Sequence, residues 1–200
     1  MTTFNKLIEK YKKKKFQVGI IGIGYVGLNL LLQFSKKKIK VIGFDQDKKK
    51  LHLLKNNISP ISYIKNSQIR SKRKFVNFET DYSKINNCDA VILCLPTPLK
   101  DKKPDLSHII NSMKKITRYL KKNQLLILES TTYPGTTEEK IKPFIDKKFK
   151  IGKNFFLGYS PEREDPGNKR HSILKNNLSK VVSGYSKNCE NIVKSIYKKI

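Results

Sequence analysis

The sequence predicts an α/β fold, a doubly wound parallel sheet with helices on both faces and, at its end, the start of a central linking helix. Three observations predict it. Apolar runs of strand length alternate with segments of helical period along all 200 residues. Runs such as IKVIGFD, from Ile39, lack polar alternation, as do strands covered on both faces. A glycine turn, GIGYVG, joins the first apolar run to the first long amphipathic segment. Strands separated by helices imply βαβ units and a parallel sheet.

Each element follows in chain order. FNKLIEKYKKK, from Phe4, reads as a short basic helix within residues 1–15. FQVGIIG is the first strand, YVGLNLLLQFSKK a helix with a broad apolar face, and IKVIGFD the second strand. DKKKLHLLKNN continues as a helix, and residues 56–72 read as loop and short helix. RKFVNFET and CDAVILCLP are the third and fourth strands. In DLSHIINSMKKITRYLKK, Leu106, Ile109, Ile110, Met113, Ile116 and Leu120 keep a helical period. QLLILES is the fifth strand, and GTTEEKIKPFIDKK is a helix weakened by Pro143. NFFLGYS is the sixth strand, KVVSG the seventh, and CENIVKSIYKKI the start of a last helix. Residues 16–185 thus form a dinucleotide-binding domain of Rossmann type, and residues 186–200 begin a central helix.

The formal charge of +27 points by itself to nucleic acid or an anionic surface. Only five of the 43 basic residues are Arg, the lysines are scattered, and no nucleic-acid-reading motif accompanies them. Abundant Lys, Asn and Ile instead reflect a codon bias of AT-rich genes, so no specific nucleic-acid partner is expected. Lys12–Lys15 followed by the uncharged run 16–34 imitates a signal peptide. Four glycines interrupt that run, and no small-residue cleavage site follows it, so a strand, turn and helix explain it better and no membrane partner is expected. Cys88, Cys94 and Cys189 are too few and too dispersed for a disulfide framework or a zinc site, which fits a reducing cytoplasm and no metal.

The first motif with chemistry is Gly22-Ile23-Gly24-Tyr25-Val26-Gly27. Gly22 permits the tight turn, Gly24 lets a pyrophosphate approach the backbone, and Gly27 lets helix and strand pack closely. The helix N-terminus then faces the pyrophosphate. Asp45 ends the second strand, eighteen residues after Gly27, where a carboxylate accepts hydrogen bonds from ribose hydroxyls and repels a 2′-phosphate. The expected cofactor is therefore NAD, although Lys48, Lys49 and Lys50 soften the discrimination against NADP. Thr97, in the loop CLPTP after the fourth strand, offers a hydroxyl to the cofactor. Thr131 and Thr132 leave the fifth strand beside the nicotinamide end. Thr136 is expected to cap the next helix, with Glu139 at its third position. His52, His108 and His171 lie apart, the first two on helix surfaces, so no histidine-based catalytic site is expected.

The set GIGYVG, CLPTPL, PDLS, LESTTYPGTTEE and SPEREDPGN resembles the nucleotide-sugar 6-dehydrogenases of UDP-glucose/GDP-mannose type, and most of all their UDP-N-acetylglucosamine branch. The resemblance runs from about Phe16 to the end. It implies oxidation of the C6 alcohol of a UDP-sugar to a carboxylate with two NAD, in cell-surface polysaccharide synthesis. It implies that Glu162 helps position or activate water, that Thr132 holds a catalytic water, and that Glu162, Arg163 and Glu164 line the UDP-sugar pocket. Lys50 falls where the family often has Arg near the adenosine ribose, a change that keeps charge but loses the planar fork. The family's nucleophile is a cysteine in a glycine-rich segment of a C-terminal UDP-binding domain, and Cys88, Cys94 and Cys189 all lack that surrounding. This chain is therefore expected to be the NAD-binding half, inactive alone, with a homodimer expected only for a longer form. The rival expectations are a truncated NAD-binding remnant without activity, or a dehydrogenase of UDP-glucose or UDP-N-acetylmannosamine.

Overall fold

The computed structural model describes residues 2–162 and 180–200. Its strands are β1 (Gln17–Ile21), β2 (Lys40–Phe44), β3 (Val76–Glu79), β4 (Ala90–Leu93), β5 (Leu99–Lys100), β6 (Lys103–Pro104), β7 (Leu125–Leu128), β8 (Phe156–Tyr159) and β9 (Ser183–Gly184). Its α-helices are α1 (Thr3–Lys12), α2 (Tyr25–Lys36), α3 (Lys48–Lys55), α4 (Asn66–Arg70), α5 (Ser107–Ile116), α6 (Lys142–Asp146) and α7 (Lys187–Tyr197). Seven strands form one sheet in the order β3-β2-β1-β4-β7-β8-β9. Every pair from β3 to β8 is parallel, with Ile20 opposite Gly43 on one side and Ile92 on the other.

The strict period of two along each strand divides the core between two faces. Val18, Ile20, Ala90, Ile92, Leu125 and Ile127 point to one cluster, with α2 and α7. Ile21, Val91, Leu93, Leu126 and Leu128 point to the other, with α5. Because both faces are covered, the inner strands β1, β4, β7 and β8 carry no polar alternation, which is the pattern that marked them in the sequence; the edge strand β3 alternates, with Val76 and Phe78 buried and Asn77 exposed.

Several elements differ from the sequence reading, each for a local reason. The third strand is shorter than RKFVNFET: Phe75 N donates to Lys72 O and the Arg73 guanidinium to Val76 O, so residues 73–75 close a 3-10 turn. The long helix over 105–122 ends at Ile116 and tightens into a 3-10 turn over Thr117–Tyr119, where the Thr117 hydroxyl donates to Met113 O. Before α6 the backbone forms a π turn over Thr137–Ile141. Pro143 has no amide to donate to the carbonyl four residues back, so a regular α-helix cannot run through it. Thr136 does not cap: its hydroxyl donates backward to Tyr133 O, and its backbone is already helical. The seventh strand contracts to Ser183–Gly184 and pairs antiparallel to β8. A small hairpin, β5–β6, went unread because its turn, Asp101-Lys102, takes left-handed angles without the usual glycine.

The sequence reading sets residues 1–15 and 186–200 apart from the domain. The structure packs both into the same core. Leu7 and Tyr11 of α1, and Cys189, Ile192, Val193, Ile196 and Tyr197 of α7, are buried in one cluster with the sheet. The Tyr11 hydroxyl and the Lys10 ammonium bond Asp89, just before β4, and Asp89 also accepts Gln17 N. Helix α7, capped by Ser186, serves as a covering helix of β8 and β9.

Candidate functional site: a cleft above the β1–β4 switch point

The chain winds outward from β1 to β3, then returns to place β4 on the opposite side of β1. Carboxyl ends of neighbouring strands diverge there, and an open crevice is left above them. It is a cleft of about 790 Å³. Its floor is the glycine turn. Gly22 has φ +92°, and a Cβ on it would sit 2.3 Å from Cys94 O. A Cβ on Gly27 would sit 1.9 Å from Gly22 O, so α2 leaves the strand only because residue 27 has no side chain. Gly24 is different: a Cβ there would meet nothing within 4 Å. It faces the open space of the cleft. It is also the N-cap of α2, and no side chain caps that end, so first-turn amides point at the cleft without intrahelical partners.

Asp45 stands at one side of this floor. One oxygen accepts Ile23 N at 2.9 Å and the Lys50 ammonium at 2.8 Å; the other accepts Asp47 N at 3.0 Å. Burial pushes its carboxyl pKa up, but the Lys50 bond and the two amides outweigh burial and hold it below the usual range. The Asp47 side chain caps α3 through Lys50 N, which fixes where Lys50 starts. Gly22, Gly24, Tyr25, Val26, Asp45 and Lys50 line the cleft together. Gly27 stays behind the floor as a packing residue.

The opposite wall comes from the loops after β4 and β7. The Ser130 hydroxyl donates to Leu95 O and accepts Leu95 N, and the Thr97 hydroxyl donates to Thr131 O at 2.7 Å. Thr97 therefore ties the two loops together, while its oxygen keeps acceptor capacity toward the cleft. Thr97 and Thr131 line the cleft. Thr132 lines a second cavity of about 340 Å³, with Tyr133, Tyr159 and Tyr185. Glu162, just beyond β8, reaches the main cleft. Arg163 and Glu164 lie outside the described residues. Cys94 also lines the cleft, but burial, and then Glu129, push its thiol well above the ordinary range, so it is held neutral.

These parts fit a dinucleotide: an open cradle at Gly24, an uncapped helix N-terminus and a hydrogen-bonded carboxylate at the end of β2. The profile of the UDP-glucose/GDP-mannose dehydrogenase family, NAD binding domain, matches residues 16–200. The chain belongs to this family. It is similar to UDP-N-acetyl-D-glucosamine 6-dehydrogenase of Salmonella typhi, 34% identical over 187 residues, covering 92% of this chain and 43% of that protein. It is similar to UDP-N-acetyl-D-mannosamine dehydrogenase of Methanococcus aeolicus, 30% identical over 95% of this chain and 43% of that protein. Among solved structures, NDP-N-acetyl-D-galactosaminuronic acid dehydrogenase from Methanosarcina mazei Go1 superposes with a TM-score of 0.85 at 28% identity, over 100% of this chain and 45% of the other. The chain thus spans less than half the length of these relatives. Its cofactor is NAD, the ligand of the family's domain.

Sequence reasoning missed four groups in the cleft or directly behind it. Glu129 is buried at the end of β7 and lines the cleft. It pairs with Lys180 and accepts the Tyr197 hydroxyl. Burial pushes its pKa up to about 7, against the lowering effect of Lys180 and Tyr197. A carboxylate directly after the apolar run LLIL was the available signal for Glu129. Lys180 and Tyr197 lie far along the chain and gave none. The fourth group is His108, which with Asn111, Ser112 and Lys115 forms one polar stripe of α5 along the cleft. Its helical spacing reads in sequence as an ordinary solvent face. No helix among the described residues is long and apolar enough to cross a membrane.

Proposed function

We propose that the chain is the NAD-binding part of an enzyme that oxidises UDP-N-acetylglucosamine to the corresponding uronate, with two NAD reduced, in the cytoplasmic synthesis of cell-surface polysaccharide. The observation that carries this reading is the presence of Glu162 in the same cleft as the Gly24 cradle. A carboxylate there adds to dinucleotide binding a group able to handle protons or water. When bound, NAD takes up hydride from the carbon being oxidised. The chain's own residues supply the rest. Gly24 and the α2 amides receive the pyrophosphate, Asp45 holds the ribose, and Lys50 keeps Asp45 ionised. Thr131 and Ser130 wall the nicotinamide end. Glu162 positions water, or takes a proton, and lies 3.2 Å from the Lys180 ammonium. Thr132 is the candidate for holding the water. The UDP-sugar enters beside Glu162.

The Salmonella typhi relative favours N-acetylglucosamine. The second reading, another UDP-N-acetylhexosamine, is favoured by the Methanococcus aeolicus relative. Turnover by the full protein decides: NADH formation is followed with UDP-N-acetylglucosamine, UDP-N-acetylmannosamine and UDP-glucose at matched concentration. The expected result is the highest kcat/KM with UDP-N-acetylglucosamine and two NADH per sugar. Preference for the manno epimer overturns the substrate, and NAD binding without turnover of any UDP-sugar overturns the enzyme reading.

A further inference from the structure

One end of the cleft is walled by groups that the Gly24 cradle and the Asp45 carboxylate do not use. Tyr82 opens a 3-10 turn, Tyr82–Asn87, after β3, and that turn packs against α5. Its half-buried ring lies 5.9 Å from the ring of Phe44, the last residue of β2, and its hydroxyl lies 3.5 Å from Gln46 Nε2. Helix α5 brings His108, Asn111, Ser112 and Lys115 to the same cleft at spacings of three and four residues, along one stripe of the helix. The neighbouring stripe of α5, Ile109, Met113 and Ile116, is buried in the core cluster against which Tyr82 packs. We propose that Tyr82 is the platform for the adenine of NAD and that Asn111 reads the polar edge of that base. The proposal rests on the reading of Asp45 as the ribose anchor.

Position and chemistry both point there. With the pyrophosphate at Gly24 and the ribose at Asp45, the base continues past the end of β2, away from the loops after β4 and β7 that wall the nicotinamide end. Gln46 and Asp47 follow Asp45 directly and line the cleft together with Tyr82. Burial first, opposed by Gln46 and reinforced by the Asp45 charge, raises the Tyr82 phenol above its ordinary value, so this side chain stands in the field of Asp45. Among the described residues, Tyr25 and Tyr82 are the tyrosines that line this cleft. Tyr25 starts α2, at the pyrophosphate, which leaves Tyr82 beside the base. A purine presents two flat faces and a polar edge, and an aromatic ring takes a face. The edge of adenine carries an amino donor next to a ring-nitrogen acceptor, and a side-chain amide pairs with both at once. In the α5 stripe, Asn111 alone has that pair. Lys115 only donates, the two ring nitrogens of His108 point apart, and Ser112 is buried.

The test measures the affinity of the full protein, by calorimetric titration without substrate, for NAD and for nicotinamide hypoxanthine dinucleotide. That analogue keeps both ribose phosphates and both flat faces of the purine, but has a carbonyl oxygen where adenine has its amino group. The parent should bind NAD at least about tenfold more tightly than the analogue, the discrimination of one paired base edge. Asn111→Leu should weaken NAD about tenfold and the analogue by less than about threefold, so the preference disappears. Asn111 is exposed, so the melting temperature of this variant should stay within about 2 °C of the parent. Tyr82→Leu should weaken both dinucleotides alike, by about fivefold or more, and Tyr82→Phe, which keeps the ring, should bind both within about threefold of the parent. A parent that binds the two equally, or an Asn111→Leu that keeps the parent's preference, overturns the reading of the edge. NAD affinity within about twofold of the parent in Tyr82→Leu overturns the platform. Where Tyr82→Leu does not fold, the platform is decided by nuclear Overhauser contacts in the NAD complex: contacts from the adenine protons to the Tyr82 ring are expected, and their absence overturns it. If Asp45→Ser leaves the ratio of NADP to NAD affinity unchanged, the ribose reading falls and the adenine site with it. A shifted ratio beside an unaltered Tyr82→Leu sinks the adenine site alone.

Discussion

Asp45 and Lys50 form an ion pair of 2.8 Å at the rim of the cleft, and the same Asp45 oxygen accepts Ile23 N from the glycine turn. One carboxylate therefore ties the turn, the end of β2 and the start of α3 together.

Asp45→Ser removes the charge that repels a 2′-phosphate and releases Lys50 toward it. The ratio of NADP to NAD affinity should rise by about tenfold or more, roughly the effect of exchanging one charged contact. Fluorescence titration with both cofactors measures it. An unchanged ratio places the ribose elsewhere.

Gly24 and Gly27 should respond oppositely to alanine. Gly24→Ala meets no protein atom, so the melting temperature should stay within about 2 °C while NAD binding weakens at least about tenfold. Gly27→Ala drives a methyl group into Gly22 O and should cost about 3 kcal/mol or more, or prevent folding. Calorimetry with and without NAD separates the two effects. Equal loss of stability in both variants would contradict the open cradle.

Glu129 should give the protein a pH dependence opposite to that of an acid whose pKa falls on folding, such as Asp45. Its folded pKa, about 7, lies above the ordinary 4.5 of a glutamate, so the folded state binds the extra proton. Its stabilising contribution is complete below about pH 4.5 and is lost as pH rises through about 7, a change of about 3 kcal/mol. Glu129→Gln should flatten urea-unfolding stability between pH 5 and 7.5, as measured on both proteins. Parallel curves would show that Glu129 does not titrate there.

NAD at about one hundred times its dissociation constant should add about 2.7 kcal/mol and raise the melting temperature by about 5–10 °C. The cysteines should stay silent in the same folded protein. Burial pushes Cys88 up to about 12 and Cys94 well above its ordinary range, and Cys189 is buried on the core side of α7. Reaction with a thiol reagent at pH 8 should therefore be at least about tenfold slower folded than in urea. Rapid native labelling of Cys94 would reopen it as a nucleophile.

Short-range features were legible because their signals are local. GIGYVG needs three glycines at fixed spacing, and an acid must end the next strand; both lie within one βαβ unit. Burial on both sheet faces removes polar alternation, so five of the six parallel strands were readable as apolar runs, while the edge strand β3 alternates. The N-cap role of Thr136 failed because its hydroxyl found a nearer acceptor in Tyr133 O.

What the sequence by itself determined was the doubly wound sheet, the cradle and Asp45, whose chemistry depends on residue type at short spacing. Tertiary structure decided the other wall of the site. Residues leaving a strand point alternately to opposite sides, so Thr131 reaches the main cleft and Thr132 the second cavity. Lys180 and Tyr197 meet Glu129 across separations of 51 and 68 residues. No periodicity in the chain encodes such a meeting. Only the ordering of β7, β8 and β9 beside α7 brings Lys180, Glu129 and Glu162 together in a poorly solvated space, where a buried carboxylate needs a partner.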